Sequence, residues 1–226
     1  MQREKYNIID LTALWPLSIM KEMEMQSEDD EVDVNILLFT DFETLDVFGP
    51  VEVLGHWKDY QLRYISATGG LIKSRQGTEI QTMPAKEADY SGILLIPGGQ
   101  GTRLLVNNPE FIELLNQMAL KAEYCLCVCT GSALLAKTGL LDGHRATSNK
   151  RAFDWVKSVN TKVDWITKAR WVVDGKFYTS SGVSAGIDMS LGFISDRFGE
   201  AAAAKIADAI EYIWNSDKEN DIFAQE

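Results

Sequence analysis

The sequence predicts an α/β protein in which helices cover both faces of a mainly parallel sheet. From residue 34 onward, short apolar runs alternate with segments of helical period, a pattern typical of a parallel sheet between two helical layers. Within residues 124–141 (YCLCVCTGSALLAKTGLL), a buried strand pattern changes at Cys129 directly into a helix pattern. This abrupt change predicts a strand joined to a helix by one tight turn, a nucleophile elbow.

The first part of the predicted sheet lies in residues 34–96. Pro50 is compatible with a helix because a proline in the first turn has no intrahelical hydrogen bond to lose. Gly70 and Gly77 flank residues of alternating polarity, which indicates a small hairpin. The predicted elements are a strand over 34–40, a helix over 46–55, a strand over 60–67, a hairpin over 71–82 and a buried strand over 93–96.

The second part begins with a glycine loop, PGGQG, at residues 97–101. Its three glycines lack side chains, so backbone amides can approach a neighbouring group closely. Asp174 and Gly175 predict a turn between two short strands. The predicted elements are a helix over 109–122, a strand leading to Cys129, strands over 145–148, 171–173 and 176–179, and helices over 185–198 and 201–214.

Composition favours a protein that acts on small molecules. A chain of 226 residues with 46% hydrophobic content can bury a full core. The 33 acidic and 22 basic residues give a net charge of -11, which disfavours nucleic acid and anionic membrane as partners. We therefore predict a small-molecule substrate, with no nucleic acid and no membrane partner.

The cysteines and histidines argue against a disulfide-stabilised protein and against a metalloprotein. Cys125, Cys127 and Cys129 lie at alternate positions of one strand, too far apart for an unstrained disulfide, so a reducing cytoplasm is the simplest compartment. His56 and His144 have no cysteine or carboxylate at a metal-ligand spacing. No metal site is predicted.

Residues 1–33 differ from the rest and are predicted to form an N-terminal extension to a domain over 34–226. Asp10 and Pro16 interrupt the apolar patch over 8–20, which is too short to span a bilayer and lacks a signal-peptide cleavage site. The extension is either a loosely packed arm or an arm that packs on a partner subunit. The side chains available for that contact are Leu11, Leu14, Trp15 and Met20.

Cys129 is the candidate nucleophile. The turn between strand and helix should present its thiol at the carboxyl edge of the sheet, with the positive end of the helix behind it. Such a position lowers the pKa of a cysteine, and the thiolate is the reactive form. The alternative is a buried cysteine at the end of a core strand.

Three loops should meet Cys129, because the carboxyl ends of parallel strands converge at one edge. Asp46 is the candidate acid-base group, with a helix N-cap as the alternative role. Thr130 offers a hydroxyl beside the cysteine. Backbone amides in these loops could stabilise developing negative charge by about 3 kcal/mol per donor, although the glycine loop could also be only a tight turn. The candidate substrate or oxyanion-binding residues are Gly98, Gly99 and Gly131.

Neither histidine is well placed to act as the base of a cysteine hydrolase. His56 ends the first predicted helix, and His144 lies in a turn before a strand. We therefore expect both on the surface, which weakens an amidase or protease interpretation and moves the acid-base role to Asp46.

Four segments resemble the ThiJ/PfpI superfamily: LDVFGPVEVL, IPGGQGT, VCTGSALLAKTGLLDGHRAT and SGVSAGIDMSL. They occur in the family's order and spacing, and the resemblance covers about residues 34–214. It implies a flavodoxin-like three-layer αβα sandwich related to class I glutamine amidotransferase domains, commonly as a homodimer. Within the superfamily the chain is most similar to the isonitrile hydratase branch, whose elbow cysteine and LDxxGP aspartate correspond to Cys129 and Asp46, with Thr130 beside them.

The chain departs from related patterns at several positions. The isonitrile hydratase pattern reads ATTHW after the elbow helix, whereas this chain reads ATSNK at residues 146–150, so the pocket wall is expected to differ. The peptidase and glyoxalase branches place histidine next to the elbow cysteine, where this chain has Thr130. AraC-type regulators share the LDxxGP and CTGS motifs but continue into a helix-turn-helix domain; this chain ends at Glu226, and we expect no such module.

The resemblance and the candidate residues together predict a cysteine-dependent hydro-lyase of the isonitrile hydratase type, which needs no cofactor. Two alternatives remain open. One is an amidase or glyoxalase-like enzyme that uses the same cysteine. The other is a protein that responds to oxidation or binds a small ligand without catalysis.

Overall fold

The structure is a computed structural model that describes residues 31–224. Most of the predicted N-terminal extension, residues 1–30, lies outside the described residues, so the arm and the domain boundary stay predictions. The first strand begins at Val32, two residues earlier than the predicted start of that strand.

A central sheet of eight strands is covered by helices, and the predicted α/β sandwich is confirmed. The strands are β1 (Val32–Leu37), β2 (Tyr60–Ser66), β3 (Gly70–Lys73), β4 (Glu79–Pro84), β5 (Ile93–Ile96), β6 (Tyr124–Cys127), β9 (Trp171–Asp174) and β10 (Phe177–Ser180). The strand order is β3-β4-β2-β1-β5-β6-β10-β9, with parallel pairing everywhere except between β3 and β4 and between β10 and β9 at the edges. A separate two-stranded sheet pairs β7 (Arg145–Ala146) with β8 (Asp164–Trp165).

The central strands are apolar along their whole length because both of their faces are covered. All four side chains of β5, ILLI, are buried, as are the last three of β6, YCLC. Strands of this kind occur in parallel sheets that lie between two helical layers. The predicted bounds of β5 are confirmed, and so is the hairpin made by β3 and β4.

Seven helices surround the sheet within the described part of the chain. They are α1 (Thr44–Gly55), α2 (Thr102–Leu105), α3 (Pro109–Lys121), α4 (Gly131–Lys137), α5 (Phe153–Val159), α6 (Ala185–Phe198) and α7 (Glu200–Ala209), with short 3₁₀ turns at Ala85–Glu87 and Lys150–Ala152. Helices α1 and α7 pack on α6, whereas α3 and α5 pack on α4. The helices thus form two packed groups, as a sheet with two covered faces requires. In residues 31–224 no helix is long and apolar enough to cross a membrane.

The predicted elements differ from the structure mainly in the second half of the chain. The strand expected over 145–148 shrinks to Arg145–Ala146, and α2 and α5 were not predicted. The helix expected over 201–214 ends at Ala209, because the following residues are drawn into tertiary contacts. Glu211 has a φ of 52°, and Asn215 donates its backbone N–H to Asp188 at 2.9 Å. These contacts cannot be read from helical periodicity.

The chain reverses its direction across the sheet between β1 and β5. After β1 it moves to β2 on one side, and after β5 it moves to β6 on the other, so the loops that follow β1 and β5 diverge. Ligands of open α/β sheets bind at the carboxyl edge near such a point. The loops after β1, β5 and β6 carry the predicted site residues.

Candidate functional site

Cys129 occupies a strained turn between β6 and α4. Its φ is 57°, a left-handed conformation that is uncommon for residues with a side chain. Three hydrogen bonds hold it there. The Cys129 N–H donates to the Ser181 carbonyl at 3.1 Å, and the Cys129 carbonyl accepts from the hydroxyls of Ser132 (3.0 Å) and Ser148 (2.8 Å). Backbone strain that neighbouring groups maintain in this way is frequent at functional sites.

Asp46 lies in the first turn of α1 and is fully buried. Its Oδ2 accepts the backbone N–H of Gly98 at 2.9 Å, and the Cys129 thiol lies against its carboxyl group. Its Oδ1 has no hydrogen-bond partner. The N-cap position belongs to Glu43, so the alternative role of Asp46 as an N-cap is wrong.

Burial changes the acidity of both members of this pair. It raises the pKa of Asp46 to about 7, and the Gly98 N–H and the Cys129 thiol only partly oppose this effect. Burial also raises the pKa of Cys129, and the neighbouring Asp46 raises it further. The prediction of an easily ionised thiol therefore does not hold for the resting site. Loss of solvent outweighs the N–H groups of Thr130 and Val183 that face the sulfur.

Thr130 connects the elbow to the glycine loop. Its Oγ1 accepts the Gly99 N–H at 3.1 Å and Nη1 of Arg103 at 3.2 Å, and its hydroxyl also forms a hydrogen bond with the Cys129 sulfur. A glycine is needed at position 98, since a Cβ there would lie 2.6 Å from the Thr130 nitrogen and 2.8 Å from Asp46 Oδ2. The glycine loop therefore packs directly against the cysteine and the aspartate.

The amides of the three candidate oxyanion glycines are all engaged within the protein. Gly98 donates to Asp46, Gly99 donates to Thr130, and Gly131 donates to the Val128 carbonyl at 2.9 Å. These bonds give each glycine a clear positioning role, and its role in binding substrate stays a prediction.

Val183 is a site residue that the sequence did not single out. Its backbone N–H forms a hydrogen bond with the Cys129 sulfur, and its φ is 46°. A β-branched residue with positive φ is a genuine outlier, which only a well-determined surrounding structure maintains. The signal was present in the SGVSAG segment, where Val183 stands between two stretches of small residues, but nothing local predicts its conformation.

A cavity of about 390 Å³ opens above the cysteine. It is large enough for a small organic molecule. Its wall combines the reactive groups with cationic and amide side chains. The residues that matter for recognition are Glu43, Arg103, Cys129, Thr130, Asn149 and Arg151.

The ATSNK segment contributes one side chain to this cavity and turns another away. Asn149 Oδ1 accepts the N–H groups of Arg151 (3.0 Å) and Ala152 (3.1 Å), which leaves its amide nitrogen against Gly182. Lys150 instead donates to the Ala169 carbonyl at 2.6 Å. Of these two residues, Asn149 lines the cavity and Lys150 does not, so the expected change of the pocket wall would act through Asn149.

Both histidines lie away from the lining of the cavity. His56 contacts Glu52 at 3.4 Å, and His144 Nδ1 lies 3.2 Å from Asp174 Oδ2. No group of three or more His, Cys, Asp or Glu side chains in residues 31–224 is arranged to hold a metal ion. The described site thus supplies the Cys129 thiol, the carboxyl groups of Asp46 and Glu43, and hydrogen-bond donors.

A doubly wound α/β sandwich with a cysteine in a strand-to-helix turn and a buried carboxyl group beside it defines a class of cysteine-centred α/β proteins. The chain belongs to the DJ-1/PfpI family, whose pattern it matches over residues 32–196. The resemblance to the ThiJ/PfpI superfamily is thereby confirmed.

Relatives within the family have different functions. The chain is 29% identical over 182 residues to the isonitrile hydratase of Pseudomonas putida, covering 80% of this chain and 78% of that protein. It is 28% identical over 181 residues to the HTH-type transcriptional regulator CdhR of Pseudomonas aeruginosa, covering 78% of this chain and 54% of that protein, about half its length. A crystal structure of a ThiJ/PfpI family protein from Pseudomonas syringae superimposes with a TM-score of 0.73 at 24% identity, covering 80% and 75% of the two chains. The family therefore includes both enzymes and regulators.

Proposed function

We propose that this protein hydrates small isonitriles to N-substituted formamides, with Cys129 as nucleophile. The observation that carries the proposal is the contact between the buried carboxyl group of Asp46 and the thiol of Cys129, a residue that lines a cavity of about 390 Å³. An isonitrile carbon accepts a soft nucleophile and a proton at the same atom. A thiol that donates to a carboxylate can supply both.

The reaction begins with proton transfer from the Cys129 thiol to Asp46 as the sulfur adds to the isonitrile carbon. Asp46 then delivers that proton to the same carbon, which gives a thioimidate (S–CH=N–R). The unpaired Oδ1 of Asp46 is available to hold the proton between these two steps. The N–H groups of Thr130 and Val183 stabilise negative charge on the sulfur during the transfer.

Water completes the cycle. Asp46 and the Thr130 hydroxyl orient a water molecule, whose oxygen adds to the thioimidate carbon while the nitrogen takes up a proton. The C–S bond then breaks, the sulfur regains a proton, and the formamide R–NH–CHO leaves. The sum is one isonitrile and one water converted to one formamide, and no cofactor takes part.

The decisive experiment follows loss of the isonitrile infrared band and formation of formamide by mass spectrometry on a simple aryl isonitrile. Wild type should turn over, and Cys129→Ala should be inactive while retaining its fold. Cys127→Ala is the matched control, because Cys127 is a buried cysteine of β6 that does not line the cavity. Turnover by Cys129→Ala would refute the mechanism.

The other two functions have less support. An amidase or glyoxalase-like mechanism needs a histidine, and both histidines contact carboxylates away from the cavity lining. A ligand-binding or redox-responsive role is favoured by the similarity to a transcriptional regulator. However, the raised pKa of Cys129 keeps the thiol protonated, and a protonated thiol is oxidised slowly. Peroxide titration with intact-mass detection should therefore show slow oxygen gain at Cys129; rapid stoichiometric gain without turnover would favour the sensor.

We further propose that the protein works as a cytoplasmic homodimer built from a domain over residues 34–226. Three free cysteines, all buried, suit a reducing compartment. Light scattering during size-exclusion chromatography tests the dimer. A single species with the 25.3 kDa mass of one chain would contradict it.

A further inference from the structure

The wall of the Cys129 cavity carries an arginine, Arg103, that forms no ion pair with any acidic side chain of residues 31–224. Arg103 follows the glycine loop and lies half-buried in α2. Nη1 of its guanidinium donates to the Gly99 carbonyl at 3.2 Å, to the Thr102 hydroxyl at 3.0 Å and to the Thr130 hydroxyl at 3.2 Å. All three acceptors are neutral. Among residues 31–224, the ion pairs that the structure forms include none to Arg103.

The Arg103 guanidinium is also held in a fixed orientation. Its carbon lies 4.2 Å from the ring centroid of Trp155, within the range of a cation–π contact. With Nη1 bound to protein acceptors, Nε and Nη2 have no acceptor in the described part of the chain. Burial lowers the pKa of Arg103, but an arginine remains charged in a protein. The cavity therefore contains a preorganised cation, Arg103, whose Nε and Nη2 donors are available to a ligand.

A second cation lies on the same wall. Arg151 lines the cavity, is exposed, and forms no ion pair within the described residues. The one carboxylate of the lining, Glu43, accepts from Gln76 Nε2 at 2.6 Å. With two arginines and one carboxylate, the described lining is net positive in a protein whose net charge is -11. This local reversal of charge distinguishes the cavity from the chain as a whole.

We infer that the substrate is a small electrophile that carries a carboxylate, bound by Arg103 and Arg151 so that its reactive carbon lies at the Cys129 sulfur. The Thr130 hydroxyl contacts both the Cys129 sulfur and the Arg103 guanidinium. Within the substrate, only a few covalent bonds should therefore separate the carboxylate from the carbon that reacts. A planar guanidinium binds a carboxylate through two parallel hydrogen bonds, which orients the ligand as well as retaining it. The inference rests on the proposed function in one respect, namely that the electrophilic group is an isonitrile; the carboxylate-binding site is argued independently of it.

Alkylation of Cys129 tests anion recognition without any hydration chemistry. Iodoacetate and iodoacetamide have nearly the same size and differ in charge. In each case the sulfur forms an S–C bond, the C–I bond breaks, iodide leaves, and the thiol proton passes to Asp46. Mass spectrometry follows the alkylated fraction of the peptide that contains Cys129 over time, which gives one rate constant for iodoacetate and one for iodoacetamide. The ratio of these two rate constants is then divided by the corresponding ratio for free cysteine.

Wild type should favour iodoacetate over iodoacetamide, relative to free cysteine, by about 10- to 100-fold. Arg103→Gln and Arg151→Gln should each reduce this preference. Lys58→Gln is the control, because it removes a positive charge from a side chain that is 88% exposed and outside the cavity lining. A wild-type ratio equal to that of free cysteine, or a ratio unchanged in both arginine variants, would overturn the inference.

Turnover of isocyanoacetate and of its methyl ester separates the inference from the proposed function. A higher kcat/KM for the carboxylate, reduced in Arg151→Gln, supports both. If neither compound is hydrated while iodoacetate is still preferred, the proposed reaction fails and the anion site stands. If both are hydrated equally and iodoacetate is not preferred, the reaction stands and the anion site fails.

Discussion

Asp46 and Asp188 are both fully buried, yet their surroundings differ in a way that separates chemistry from architecture. Asp188 Oδ2 accepts from Arg170 Nε at 2.7 Å, and its Oδ1 accepts from the Tyr212 hydroxyl at 3.1 Å and the Asn215 N–H at 2.9 Å. Asp46 has the Gly98 amide and a thiol, with one oxygen unpaired. A buried carboxylate with every oxygen satisfied holds structure together, whereas one with an open oxygen can accept a proton.

The surroundings of Asp188 explain what it stabilises. Arg170 is itself buried, and its Nη1 lies 3.7 Å from Asp221. Its backbone N–H donates to the Lys218 carbonyl at 2.8 Å. The ion pair therefore fastens the segment after α7 to the body of the domain. Removing one partner of such a buried pair leaves an uncompensated charge.

The largest expected effect is on catalysis at Asp46. Asp46→Asn keeps the shape of the side chain but cannot accept the thiol proton. We expect kcat/KM for isonitrile hydration to fall by about 10²- to 10⁴-fold. Circular dichroism and the melting temperature should show an intact fold. Activity within threefold of wild type would exclude Asp46 as the proton acceptor.

The matched substitution at Asp188 should affect stability instead. We expect Asp188→Asn to lower the free energy of unfolding by about 3–5 kcal/mol, because Arg170 stays buried without its principal partner. Urea denaturation measures this loss. The kcat/KM of the folded fraction should change by less than about tenfold. Equal losses of activity and stability in both variants would remove the distinction between the two aspartates.

The pH dependence of stability should carry the signature of Asp46. Its pKa is about 7 in the folded protein against 3.8 for an ordinary aspartate, so the folded state binds more protons between these values. The contribution of Asp46 to stability is therefore fully present below about pH 4 and is lost as the pH rises through about 7, by about 4 kcal/mol in total. The test is the difference in unfolding free energy between wild type and Asp46→Asn across this window. A difference that does not decline with pH would contradict the raised pKa.

The smallest expected effect is on the pH profile of catalysis. The mechanism needs Asp46 as a carboxylate, so kcat/KM should rise with pH and level off above about 7. One pH unit below that value, the rate should be about tenfold lower than the plateau. Residual activity of Asp46→Asn should lack this limb, whereas Asp188→Asn should retain it. A profile that falls between pH 5 and 7 would assign the titrating group a different role.

Much of the fold was predictable because the central strands have a strong local signal. The uniformly apolar run of β5 and the hairpin of β3 and β4 follow from hydrophobicity and glycine placement. The end of α7 was not predictable, because Asn215 and Tyr212 bind Asp188, a residue 24 or more positions earlier. Interactions so distant in sequence leave no trace in local periodicity.

The sequence predicted which residues form the candidate site, but it did not predict the pKa of the Cys129 thiol. Motif and topology nominated Cys129, Asp46 and Thr130, and the structure places Asp46 and Thr130 beside the Cys129 thiol. Helix position predicted a lowered thiol pKa, but burial raises it. Val183 and Arg103 were missed, since each reaches the site through a loop whose path depends on packing.

The sequence by itself determined the class of fold, the turn that carries Cys129 and the carboxyl group that partners it. The fold class and the turn arise from side-chain periodicity and from residues close together in the chain. The partnership of Asp46 with Cys129 followed instead from the convergence of loops at the carboxyl edge of a parallel sheet. Tertiary structure alone decided which amides face the sulfur, which oxygen of Asp46 stays open, and that two arginines line the same cavity as the thiol. The physical reason is that pKa and hydrogen-bond satisfaction depend on solvent exclusion and on groups from distant segments, and packing alone brings these together.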